Sequence, residues 1–113
     1  MIQMPENLVE MALKTMGDRW KVMIIQELMD GTKRFGEIKK ELGAITQKVL
    51  TANLRALEEK GIVIRKVYAQ IPPKVEYTLT NLGYSLKPVL DSMREWAEEY
   101  YNQNVKGLVS CLS

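Results

Sequence analysis

FGEIKKELGAITQKVLTANLRALEEKG, residues 35–61, decides the fold. Helical spacing of Phe35, Ile38 and Leu42 predicts a short helix, and Gly43 breaks it. Ala44 and Ile45 complete a tight turn. Thr46 then stands where a hydroxyl accepts from the first free N–H groups of a second, longer helix, which runs to Gly61. A short helix, a glycine-containing turn of a few residues and a longer helix together make a helix-turn-helix, here over about residues 35–60.

The longer helix has two unlike sides. Stepping about 100° per residue from Thr46 places Leu50, Leu54 and Leu57 on one face. Lys48, Thr51, Ala52 and Arg55 fall on the other, with Gln47 beside them in the first turn. The outward side is therefore compact, and no acidic side chain appears on it before Glu58 and Glu59 at the far end. A helix that enters a DNA major groove needs this arrangement: amide and basic side chains near its N-terminus to pair with base edges, and nothing bulky or negative in the way.

Downstream, IVIRKVYA and VEYTLT read as two strands joined by a loop holding Pro72 and Pro73, which cannot donate ladder hydrogen bonds. This hairpin, over about residues 62–80, is a wing. Arg65, Lys66 and Lys74 flank its stiff tip and are placed to follow phosphates beside a groove. Lys33 and Arg34, just before the short helix, are candidates for backbone contact on the opposite flank.

Upstream, a helix over about residues 6–16 carries Leu8, Val9, Ala12, Leu13 and Met16 at helical spacing. Gly17 ends it, and Asp18 caps a second helix that is apolar on most of its faces and belongs at the centre of the core. At the other end Thr80 caps a helix expected over about residues 81–102, bent by Pro88. Leu82, Leu86, Val89, Met93, Trp96 and Tyr100 alternate steps of four and three, a heptad-like seam wider than one small core needs. The tail after it, VKGLVSCLS, has no clear periodicity and reads as loose.

With 113 residues and 46% hydrophobic composition, the chain is expected to fold as one domain over residues 1–113. No apolar run approaches membrane-spanning length, and the N-terminus is unlike a signal peptide, so a cytoplasmic location and no membrane partner are expected. The net charge of +2 conceals an asymmetry. Residues 33–74 carry ten Lys/Arg against four Asp/Glu, whereas the rest carries six against ten. A basic segment in an otherwise acidic chain is the footprint of a polyanion-binding face.

Enzymatic readings find little support. Histidine is absent, and the one cysteine, Cys111, forms neither a zinc site nor an intramolecular disulfide by itself. No nucleophile elbow, dinucleotide fingerprint or P-loop occurs. Glu58 and Glu59 diverge around their helix instead of converging on a substrate. No catalytic residue, metal or cofactor is expected. Trp20 is read as a core anchor, Trp96 as part of a subunit contact, the methionines as adaptable packing and Cys111 as inert.

The elements G-D-R-W-K, R-F-G-E-I, I-T-Q-K-V-L-T-x-x-L-R-x-L-E, the P-P-K-V-E-Y wing and the following L-T-x-x-G resemble the HxlR family of bacterial and archaeal winged-helix regulators, over roughly Met16 to Glu99. The resemblance implies a mainly α fold with a small β-hairpin, a winged helix-turn-helix with additional N- and C-terminal dimerisation helices. It implies transcription regulation by a homodimer, as repressor or activator, and carries DNA-contact roles onto Thr46, Gln47, Lys48, Thr51, Arg55, Pro72, Pro73 and Lys74. Leu8, Val9, Ala12, Val89, Met93, Trp96 and Tyr100 are the candidate dimer interface. Several family members place a redox-sensing cysteine before the first helix, directly followed by proline; here Asn7 and Leu8 stand there, which argues against thiol sensing through that site.

The expected function is sequence-specific binding of double-stranded DNA at an inverted-repeat operator. An unidentified small-molecule effector is left open as a further partner. Two other readings also stay open: a protein-interaction winged helix, and a small-molecule sensor without strong DNA binding.

Overall fold

The computed structural model describes residue 4 and residues 6–112, with side chains through residue 104. The order is α1 (Leu8–Met16), α2 (Arg19–Leu28), β1 (Lys33–Arg34), α3 (Phe35–Leu42), α4 (Gln47–Glu59), β2 (Val63–Tyr68), β3 (Lys74–Leu79), α5 (Asn81–Tyr84) and α6 (Lys87–Leu112). This is the mainly helical winged helix expected. The sheet, however, has three antiparallel strands in the order β1-β3-β2 rather than two. Lys33 and Arg34 pair with Tyr77 and Glu76, adding a short edge to the hairpin.

Helix boundaries follow local chemistry. Asn7 caps α1 by accepting from Glu10 N at 3.0 Å. Gly17 then takes φ 81°, which favours glycine, and turns the chain toward α2. Asp18 caps α2 by accepting from Trp20 N and Lys21 N at 3.1 and 3.2 Å. These bonds, led by that from Lys21 N, hold the Asp18 carboxyl below the usual carboxylate range. A lowered folded value means the stabilisation is present above the unfolded pKa, about 4, and is lost as pH falls through the folded one. Asp18→Ala is therefore expected to cost about 0.5–2 kcal/mol at neutral pH. In urea unfolding the gap from wild type should narrow in acid. A gap of equal size at pH 7 and in strong acid would show that the charge contributes nothing.

Ile24, Ile25 and Leu28 of α2, Ile38 of α3, Leu50, Leu54 and Leu57 of α4, and Ile62, Val63, Tyr77 and Leu79 of the sheet form the buried centre. Trp20 packs against it, only partly buried. The last helix differs from the single bent rod expected over 81–102. The chain makes the short α5, a turn at Ser85 and Leu86, and only then α6. Pro88 lies in the first turn of α6, where its missing N–H is not needed by the helix, so the interruption falls ahead of it. α6 is helical through Leu112, including most of the tail read as loose.

α5 sits tightly on the start of β2. Thr80 Oγ1 accepts from Gly83 N at 3.1 Å and donates to Gly61 O at 2.6 Å. A Cβ on Gly83 would stand 2.5 Å from Ile62 O and 2.9 Å from Leu79 Cδ2. The backbone oxygen cannot yield as a side-chain tip would. Gly83→Ala is expected to destabilise the fold by about 1–3 kcal/mol, the range for forced overpacking. A lowered thermal midpoint checks this; an unchanged midpoint would mean that α5 shifts freely.

Two elements stand away from this body. α1 has only Met16 buried, and in α6 every described residue after Asp91 is exposed. Lys60, at the end of α4, fastens α1 by donating to Lys14 O at 3.0 Å and Thr15 O at 3.3 Å, the carbonyls left free at that helix end. The radius of gyration is 17.6 Å, against about 13 Å for a compact chain of this length.

Candidate nucleic-acid interface

α4 is set by its buried leucines. With Leu50, Leu54 and Leu57 fixed in the core, helical geometry turns the opposite face to solvent. Thr46 Oγ1 accepts from Val49 N at 3.2 Å and defines the first turn. Gln47, Lys48, Thr51 and Arg55 line one open surface groove along the helix together with Ala52, so the structure brings these four expected contact residues together.

A neighbouring cleft of about 390 Å³ joins α4 to the sheet. Gln47, Thr51, Arg55 and Glu58 line one wall, and Arg65, Val75, Tyr77 and Phe35 the other. Arg65 is paired with Tyr77, so it shares the inward face of the ribbon and approaches the helix. Lys66 and Lys74 do not join it. Alternation puts Lys66 opposite Glu76 and Lys74 opposite Tyr68 on the outward face. The three basic wing residues grouped in the sequence thus divide between two faces.

The flank before α3 divides in the same way. Lys33 shares the face of Tyr77 and is bound by Glu27 of α2, with Asp30 4.0 Å away. The hydrogen bond that the Lys33 ammonium donates to the Glu27 carboxylate holds that ammonium above the usual lysine range. Its charge is engaged within the fold. Arg34 is exposed, in register with Glu76, and its backbone N–H donates to Glu37 Oε1 at 2.9 Å. At the wing tip, Ile71 is fully exposed, with Pro72 and Pro73 exposed beside it.

Apart from these basic groups, α1 and α6 expose apolar side chains. Val9 is 71% exposed, Met93 47% and Trp96 68%. Leu8, Val89, Tyr100 and Tyr101 are exposed with them, as is Ala12. Trp96 and Tyr100 stack with ring centroids 5.3 Å apart. Leu90, by contrast, is buried and ties α6 to the core.

The sequence profile of HxlR-like helix-turn-helix proteins matches residues 15–105. The chain belongs to the HxlR-like helix-turn-helix family. It is 48% identical over 92 residues to YdeP of Bacillus subtilis (strain 168), named an uncharacterized HTH-type transcriptional regulator, covering 81% of this chain and 72% of YdeP. The redox regulator HypR in its oxidized form superposes with a TM-score of 0.76 and 46% identity, covering 82% of this chain and 96% of HypR. The reduced form of the transcriptional regulator YodB from B. subtilis superposes with a TM-score of 0.76 and 42% identity, covering 86% of this chain and 95% of YodB. The HxlR-like chain is thus a winged-helix member of a family of transcription regulators.

Sequence reasoning missed three features of the HxlR-like interface. Glu58 borders the same cleft as Arg55 and Arg65, where the helix pattern alone suggested a solvated end. Phe35 lines that cleft, a placement that depends on how α3 packs. Tyr68, at the end of β2, lies beside two wing lysines; an aromatic residue two positions after Lys66 was the available signal. Cys111 lies outside the residues whose side chains are described.

Proposed function

We propose that this HxlR-like protein is a homodimeric, sequence-specific binder of double-stranded DNA that regulates transcription at an inverted repeat and catalyses nothing. The observation that carries the reading is the free outer face of α4, with Gln47, Lys48, Thr51, Ala52 and Arg55 along one groove and Arg65 across the adjoining cleft. Amide and guanidinium groups in that position suit base edges, and the basic wing suits phosphate. Homodimerisation is supported by the uncovered apolar residues on α1 and α6, because a two-fold contact would remove them from water. Each chain supplies one such helix. Two of them, related by the two-fold axis, would enter major grooves about 34 Å or 10 base pairs apart, or a small multiple of that. No described helix is long and apolar enough to cross a membrane, which accords with work at the chromosome in the cytoplasm.

Selection of bound duplexes from a random pool tests the reading. The expected product is a pair of inverted half-sites, bound with a steep dependence on salt. Unrepeated half-sites bound by monomers would overturn it.

A further inference from the structure

The outward face of the wing carries a group of side chains that base reading by α4 does not use. Lys66 and Tyr68 lie on it from β2, and Lys74 and Glu76 from β3. The Lys66 ammonium is 5.0 Å from the centre of the Tyr68 ring, and that of Lys74 is 4.8 Å from the same centre. Glu76 approaches Lys74 at 3.9 Å. Arg34 of β1 stands in register with Glu76, so it shares this face of the sheet. The face therefore holds three positive charges and one negative.

Two like charges converging on one ring need a reason. Lysine side chains are flexible, and each carries about 2 kcal/mol of rotamer entropy. Mutual repulsion and freedom both favour their separation. The electron-rich ring face opposes this, attracting each ammonium by about 0.5–1 kcal/mol at an exposed site. The ring is fixed in turn by its place directly opposite Lys74 in the ladder. An ammonium already held against the ring has less freedom left to lose when it meets an anion. A singly charged phosphodiester is the anion that a wing beside a groove encounters.

We propose that Tyr68 is a positioning residue that presents Lys66 and Lys74 as a single clamp on one backbone phosphate of duplex DNA. The clamp lies on the face of the wing opposite Arg65. The inference rests on the DNA-binding reading above and adds to it a named ring and a stoichiometry: two lysines, one phosphate.

Counterion release measures that stoichiometry. Each phosphate neutralised on B-DNA contributes about 0.9 to the slope of log affinity against log salt. The full-length protein is titrated with duplex DNA at several salt concentrations, as wild type, Lys66→Ala, Lys74→Ala, the double variant, Tyr68→Phe and Tyr68→Leu. The clamp requires the double variant to lose about one unit of slope, whereas two independent contacts would lose about two. Tyr68→Phe keeps the ring and should stay within about twofold of wild type, while Tyr68→Leu should weaken binding about fivefold at low salt. The phenylalanine and lysine variants keep the test valid should Tyr68→Leu fold poorly. A wild type without salt-dependent duplex binding would overturn the functional reading itself. A wild type that binds, with a loss of two units in the double variant or with Tyr68→Phe as damaging as the loss of both lysines, would overturn the clamp alone.

Discussion

A chain carrying Met93→Asp and Trp96→Ala is expected to sediment as a monomer and to bind a full operator at least about a hundredfold more weakly than wild type. Both residues lie on the solvent side of α6, beyond its core anchor Leu90, so their replacement leaves the helix-turn-helix packing untouched. Trp96 is 68% exposed and stacked on Tyr100, a large apolar surface that a lone subunit leaves in water. Aromatic residues near the middle of an interface commonly account for more than about 2 kcal/mol each. Aspartate at position 93 adds a carboxylate that a closed apolar interface would have to desolvate without a partner, a cost of several kcal/mol. DNA affinity falls when dimerisation is lost, because two linked half-sites gain from effective concentration, typically by a factor of about 10²–10⁴. Analytical ultracentrifugation beside a DNA titration checks both parts. A double variant that stays dimeric and binds normally would place the subunit contact elsewhere.

Gln47→Ala is expected to cost about 1–3 kcal/mol at the selected operator and to relax preference at one or two base pairs. Gln47 is exposed in the first turn of α4 and borders both the outer groove and the cleft toward Arg65. Its amide can donate and accept at once, which a methyl cannot replace. Lys48, next in the same exposed turn, should behave similarly. Lys74→Ala should instead weaken every duplex by a similar factor, because a phosphate carries no base identity. Affinities for the selected site and its single-base variants separate the two behaviours. Equal loss across all duplexes for Gln47→Ala would remove it from base reading.

The helix-turn-helix was legible because its determinants are local. Thr46 caps α4, Gly43 ends α3, and the four- and three-residue spacing of Leu50, Leu54 and Leu57 indicates which side is buried. The wing was legible from β-branched runs around Pro72 and Pro73. β1 was not, because two residues have no periodicity to read. The division of α5 from α6 was half legible: Pro88 announced a disturbance, but whether the helix bends around it or stops ahead of it depends on how α5 packs on Ile62.

The sequence by itself determined the helix-turn-helix and wing, the caps Asp18, Thr46 and Thr80, the buried stripe of α4 and the basic segment that contains it, since each depends on neighbours within a few residues. Only the tertiary structure decided where the charges point. Strand register sent Arg65 toward α4, and Lys66 and Lys74 to the other side beside Tyr68. Packing of β1 near α2 committed Lys33 to Glu27. Fixing α6 at Leu90 left Val89, Met93, Trp96 and Tyr100 on the open side. A basic residue in a sequence has a charge but no direction. Direction comes from which face of a strand or helix the core takes, and that is settled only when distant segments meet.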